Sequence, residues 1–282
     1  MIKSLIILLC LFCFKAFSAN KTIYGTDSRL DYYEIEDPLL QKMSNSIAAM
    51  IPLGALIEKV DYYKLISNDL GVVSNCNRID FKDQTSLAEC SGFLIEDNKL
   101  VTSGSCIKTV EDCNRYVWAF GFKRKISKKS NYRINILEKN EVAFCKSIIK
   151  RVHNLSANIS FTIIELDIDH LVPIDKLGVV AENTTKRNDQ VLMMGYPQGL
   201  PLKLSSNSTV SSVYQNSFRA NLDSAKSSAG SPVFDPKTLL VKGIYLTGPR
   251  AKPNSNRCYK PLRRSHSKSY ERIMHINQIF LE

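Results

Sequence analysis

From Cys90 onward the chain reads as short apolar runs broken by turn residues. "CSGFLI" (90–95) and "LVTSG" (100–104) flank "EDNK", which reads as a four-residue hairpin loop. "YVWAFGF" (116–122) places aromatics at alternate positions. "VAFCKSII" (142–149), "FTIIEL" (161–166), "VLMMGY" (191–196), "STVSSVY" (208–214), "GSPVF" (230–234) and "LLVKGIYL" (239–246) follow. Each is of strand length, and most are rich in β-branched or aromatic residues. Strands at this spacing, with no helical periods between them, predict an all-β barrel or sandwich. Only the end, "SKSYERIMHINQIF" (267–280), has helical spacing, at Ile273, Ile276 and Ile279/Phe280, and predicts a C-terminal helix. Upstream, the polar and acidic 19–44 reads as an arm, "NSIAAMIPLGAL" (45–56) as a first core strand, and "CNRIDFKDQ" (76–84) as a polar connector. No internal repeat of fixed period is present.

The first 18 residues stand apart. Lys3, an apolar run from Leu5 to Phe14 and Ala16-x-Ser18 predict a signal peptide cut near Ser18. The run is short for a bilayer, and no later segment is long and apolar enough to span. A secreted or periplasmic protein without a membrane span after cleavage is therefore expected. Six cysteines then remain, Cys76, Cys90, Cys106, Cys113, Cys145 and Cys258. An even number in an exported chain points to three disulfides, and the count alone leaves 15 pairings open.

The chain of 282 residues carries a formal charge of +11, and removing Lys3 and Lys15 leaves +9. "FKRKISKK" (122–129) is one basic run, and Lys242 to Arg272 holds nine Lys/Arg against one Glu. A solvated basic face is the plain reading, and an acidic envelope polymer is the partner that the alternative reading gives it. No Cys/His metal spacing and no phosphate loop occurs, so no metal, cofactor or nucleic acid is expected.

Three stretches carry a family resemblance. "CSGFLIEDNKLVTSGSC" (90–106) resembles the histidine loop of trypsin-like (chymotrypsin-fold) serine proteases, Cys-(Ser/Gly)-Gly-x-Leu-Ile, a hairpin, then Val-Thr/Ser-Ala-x-His-Cys. "ANISFTIIELD" (157–167) resembles the strand that brings the aspartate. "FRANLDSAKSSAGSPVFD" (218–235) resembles the nucleophile loop of bacterial glutamyl endopeptidases. "GYPQGLPLKL" (195–204) and "LLVKGIYLTG" (239–248) fit the same group, and the motifs keep the family order. The resemblance implies two antiparallel β-barrels over 45–282, divided near 150–180. It also implies a Cys90–Cys106 bridge, with 15 residues between the partners as in the family, closing a loop worth about 3 kcal/mol. Cys113–Cys145 is expected because their segments read as neighbouring strands, which leaves Cys76–Cys258.

At the positions that the resemblance assigns to the triad, the residues are different. The histidine position holds Ser105, the aspartate position Ser160 and the nucleophile position Ala229. The oxyanion-hole positions fall on Ser227 and Ala229, with Ser227 where the family has a glycine able to take positive φ. In this chemistry a serine attacks, a histidine takes its proton and an aspartate orients the histidine. A serine hydroxyl is no base near neutrality, and an alanine has no nucleophile. Loss of a triad serine or histidine costs roughly 10⁶ in turnover. His153, His170, His266 and His275 do not sit where the base belongs, His153 reading as a loop residue. Asp223 falls where the family has a specificity-pocket residue.

Three functions compete. The first is an exported pseudoprotease that binds a peptide or protein, such as another protease or an inhibitor, in the cleft between barrels. The second is an active endopeptidase with an unfamiliar constellation using His153, Ser227 or Ser228. The third is a basic protein that binds an envelope polyanion.

Overall fold

A computed structural model describes residues 21–76, 79–126, 133–168, 175–180, 182–248, 262–266 and 271–281. The polar arm supplies β1 (Lys21–Tyr24) and β2 (Leu30–Asp31). β3 (Ile47–Pro52), β4 (Cys90–Glu96), β5 (Lys99–Thr102), β6 (Tyr116–Ala119), β7 (Val142–Asn154) and β8 (Ile159–Asp167) then close an antiparallel barrel in the order β3-β4-β5-β8-β7-β6. A second barrel uses β9 (Gln190–Gly195), β10 (Lys203–Val213) and β11 (Ser217–Ala220). After the short β12 (Ser224–Ala225) come its strands β13 (Pro232–Phe234) and β14 (Val241–Thr247). β15 (Leu262–Arg264) joins the arm, and β16 (Glu271–His275) completes the barrel. Its closed order is β9-β13-β14-β16-β11-β10.

Alternation along the strands separates the cores. Ala48 and Met50 of β3 join Leu94, Leu100, Trp118 and Ile164 in one cluster. Val191 and Met193 of β9 join Val210, Phe218, Tyr245 and Ile273 in another. The intervening residues, Ala49 and Ile51 on β3 and Leu192 and Met194 on β9, share a third cluster that draws on both barrels. A strand buried on both faces reads as a continuous apolar run, which is why "IAAMI" shows no polar alternation.

Several expected boundaries shift. The hairpin after Cys90 has strands reaching Glu96 and Lys99, so its loop is Asp97-Asn98 and not four residues. β7 runs to Asn154, which puts His153 in a strand and not in a loop. The expected C-terminal helix is corrected. Over its described part the chain forms β16 and then a 3-10 turn, Ile276–Ile279. β16 is hydrogen-bonded on both sides, to β11 and to β14. Without it the barrel stays open, so ladder pairing overrides a three-residue apolar spacing that fits a helix equally well.

The arm is built into the second barrel. β1 pairs with β12 and β15, and β2 pairs with β10. Its anchor is Asp31, which is buried and bonded to Lys203 of β10 and to Arg124, just after β6. Gln84 joins by donating to Asp31 at 2.9 Å and accepting from Lys203 at 2.7 Å. Burial, partly offset by Asp31, brings the Lys203 ammonium down to about 8.

His275 closes β16 and is buried against the Phe218 ring. Its Nε2 lies 3.1 Å from the Tyr214 carbonyl. Burial lowers its pKa, opposed by the Tyr214 and Ser217 backbone. The unfolded chain therefore takes up this proton at a higher pH than the fold does. Stability from this group is complete above the ordinary histidine pKa of about 6.5 and is lost as pH falls below it. The urea midpoint is expected to drop between pH 7.5 and pH 5, and to drop less in His275→Gln. An equal drop in both proteins would show that His275 does not set the slope.

Candidate functional site

The turn after β5 carries the first site position. Cys90–Cys106 fixes its end, with Cα atoms 6.1 Å apart. Ser105 is exposed, its hydroxyl 3.0 Å from that of Ser103. Gly104 lies against the β7–β8 hairpin, where a Cβ would meet the Val152 carbonyl at 2.6 Å and the Ser160 hydroxyl at 2.9 Å. Arg151 of β7 holds the turn by donating twice to the Gly104 carbonyl, at 3.2 and 2.9 Å. Ser160 therefore sits directly behind the turn, buried, with its hydroxyl 2.8 Å from Nδ1 of His153. These two face each other across the β7–β8 ladder.

The second loop approaches from the other barrel. β12 leads into a 3-10 turn, Lys226–Ser228, closed by the Ala225 N–H donating to the Ser228 hydroxyl at 3.2 Å. Ser227 lies in this right-handed turn and not in the left-handed region that a glycine would suit. Ser227 thus sits in this turn without the backbone strain that a left-handed conformation would bring to its side chain. Gly230 does need to be glycine. Its φ is +88°, and a Cβ would stand 2.0 Å from the Ser91 carbonyl.

Ser91 of β4, which no sequence motif singles out, bolts the loops together. Its N–H donates to the Ala229 carbonyl at 2.8 Å and its hydroxyl to the Ser227 carbonyl at 3.0 Å. The same hydroxyl accepts from the Tyr196 N–H at 3.1 Å. On the far side the Gly230 N–H donates to the Tyr245 carbonyl at 2.9 Å.

A cleft of about 360 Å³ results, with Ser105, Cys106, Lys226, Ala229, Tyr245 and Thr247 among its lining residues. Ser105 and Ala229 share this cleft, whereas Ser160 stays behind the turn. Lys108 and Lys226 contribute positive charge, and Glu89 and Asp112 negative. The Tyr116 hydroxyl donates to Glu89 at 2.8 Å, and burial together with this carboxylate pushes the phenol up to about 12.

Asp223 is committed to the arm. Its carboxylate accepts from the Tyr24 N–H at 2.8 Å, the Ser28 N–H at 3.1 Å and the Ser28 hydroxyl at 3.0 Å. Burial raises its pKa and these donors counter the rise. Of the other histidines, His266 bonds Asn221 and His275 is buried on β16. His170 lies outside the described residues, as does Cys258 of the expected Cys76–Cys258 pair. Cys113–Cys145 is present as expected, with Cα atoms 5.3 Å apart.

Residues 90–244 match the trypsin-like peptidase domain, which is more than half of the chain. The chain belongs to the trypsin-like peptidase family. Among solved structures, a Glu endopeptidase in complex with MPD aligns with a TM-score of 0.54 at 14% identity, over 92% of this chain and 95% of that one. Deg5 aligns with a TM-score of 0.47 at 11% identity, over 86% and 88%. Kallikrein-related peptidase 10 gives 0.45 at 13% identity, over 68% and 86%. No curated protein matches the chain. The trypsin-like peptidase fold accounts for both barrels and for the two loops that meet at the cleft.

The Gly230 geometry has a measurable consequence. Gly230→Ala should lower unfolding free energy by about 1–3 kcal/mol from left-handed backbone strain alone, with the collision against Ser91 adding to it. Gly54→Ala, whose Cβ would meet nothing within 4 Å, should leave the urea midpoint nearly unchanged. Equal midpoints for the two variants would contradict the close approach of the loops.

Proposed function

We propose that the protein is an exported, catalytically inactive trypsin-like peptidase homologue whose cleft binds a peptide or protein. The carrying observation is the Ala229 methyl on the cleft wall, in the same cleft as the Ser105 hydroxyl. A nucleophile and a base would have to stand there for acyl transfer. A cleft that retains a disulfide-clamped turn and a bolted loop still offers a rigid surface for an extended chain. Asp223 serves the scaffold in this reading, since its acceptor capacity is taken by the arm.

The His153–Ser160 hydrogen bond bears on the active-enzyme reading. A base next to a hydroxyl is one requirement of nucleophilic catalysis. Ser160, however, is 2% exposed and directed at the turn behind the cleft, so its hydroxyl has no route to a bound carbonyl. Five of the nine Lys/Arg between Lys242 and Arg272 on which the polyanion reading draws lie in 249–261 and 267–270, outside the described residues. Export rests on the N-terminal leader, and the two described disulfides agree with an oxidising compartment. Among the described residues no helix is long and apolar enough to cross a membrane.

The purified protein is expected to show no fluorophosphonate labelling and no cleavage of a mixed peptide library above background. Combining Ser105→His, Ser160→Asp and Ala229→Ser asks whether the scaffold is otherwise competent, and labelling should then appear. Labelling or cleavage by the unmodified protein, lost on removing His153, would favour the active-enzyme reading instead.

A further inference from the structure

Outside both barrels, the strands Leu56–Glu58, Tyr62–Leu65 and Ile136–Glu138 form a small antiparallel sheet with Leu56–Glu58 at its edge. Its inner face packs on the core through the buried Leu65 and Leu137. The edge strand bonds inward at alternate positions. The Ile66 N–H donates to the Ala55 carbonyl at 2.8 Å, and the Lys59 N–H to the Tyr62 carbonyl at 2.9 Å. Bonding direction alternates along an antiparallel strand, so Leu56 and Glu58 turn their backbone groups outward. The Leu56 N–H is taken by the Leu53 carbonyl. The Leu56 carbonyl and the Glu58 N–H find no partner among the described residues. Such an edge is a template for another strand unless charge, proline or a bulge blocks it. Here the one charge on the strand, Glu58, is drawn to Lys139 at 2.6 Å. Apolar side chains lie bare along the edge instead. Ile57 is 39% exposed, Leu53 40%, and Val60, in the hairpin turn, 86%. None of these residues lines the cleft.

We propose that this edge pairs with the same edge of a second copy of the chain, joining the two sheets across a two-fold axis at Ile57. The segment is complementary to itself. Antiparallel pairing about Ile57 sets Leu56 opposite Glu58, so the Glu58 N–H of each copy donates to the Leu56 carbonyl of the other. The two Ile57 side chains meet at the axis, at the close spacing of a pair that exchanges no hydrogen bond. Val60 of one copy reaches the Leu53–Ala55 turn of the other, so the bare apolar groups at the two ends of the strand cover each other. Lys59 falls opposite Ala55 and Asp61 opposite Leu53, so no like charges face one another. The cleft residues stay outside the contact, and the dimer carries two clefts.

Sedimentation velocity on the whole protein over a concentration series should show a reversible monomer–dimer equilibrium. Ile57→Lys places two cations opposite each other at the axis and should weaken the dimer by roughly tenfold to a hundredfold. Ile57→Cys should cross-link into a covalent dimer under mild oxidation, because the paired positions lie within disulfide reach. Lys59→Cys, whose counterpart across the axis is Ala55, should not. The proposal is overturned if the protein stays monomeric throughout, if Ile57→Lys leaves a dimer intact, or if the two cysteine variants cross-link equally. The cross-linking comparison holds even where Ile57→Lys fails to fold. None of these outcomes involves peptide binding or hydrolysis, so the dimer stands or falls apart from the reading of the cleft.

Discussion

Everything at the cleft depends on one contact between the barrels, the junction of Ser91 with the loop 227–230. The first barrel supplies Ser91 from β4, and its N–H and hydroxyl take the carbonyls of Ala229 and Ser227. The second barrel answers through Gly230, whose positive φ permits this approach. Polar backbone buried at such a junction must find partners inside the protein. Here the partners come from the opposite barrel, so pairing the loop also fixes how the barrels sit. The methyl of Ala229 and the hydroxyl of Ser105 are brought to one cleft as a consequence of that pairing.

The arm gives the junction a second support. Asp31 joins Lys203 of the second barrel and Arg124 of the first inside one buried ionic cluster. Such clusters gain little net stability over apolar packing, since each charge gives up its hydration. Their geometric demand is strict, because every buried charge needs its partner in place. Asp223 extends the same logic by accepting three bonds from Tyr24 and Ser28. Next to this attachment the Tyr24 hydroxyl of the arm donates to the buried Glu271 of β16.

How far the sequence reveals all this follows from how local each feature is. The Cys90–Cys106 hairpin, the strand texture and the loop "SSAGSPVF" are contiguous in sequence, and the structure places them as their patterns imply. Contacts between distant residues left no local trace. The His153–Ser160 pair appears only when β7 extends past "VAFCKSII" to form a long ladder. Asp223 is put at a pocket position by the family resemblance alone, and the bonds that commit its carboxylate to the arm become visible only once β1 is laid beside β12. The C-terminal spacing of Ile273, Ile276 and Ile279 suits a helix, and only the open barrel edge between β11 and β14 decides for a strand.

The central claim is that this peptidase scaffold holds a chain in its cleft without cutting it. Amide chemical-shift mapping with a mixed library of extended peptides tests that claim most directly. Shifts should concentrate at residues 105–106, 225–229 and 245–247, with the peptides recovered at full length. Shifts confined to other faces of the barrels, or recovery of cleaved peptides, would contradict it.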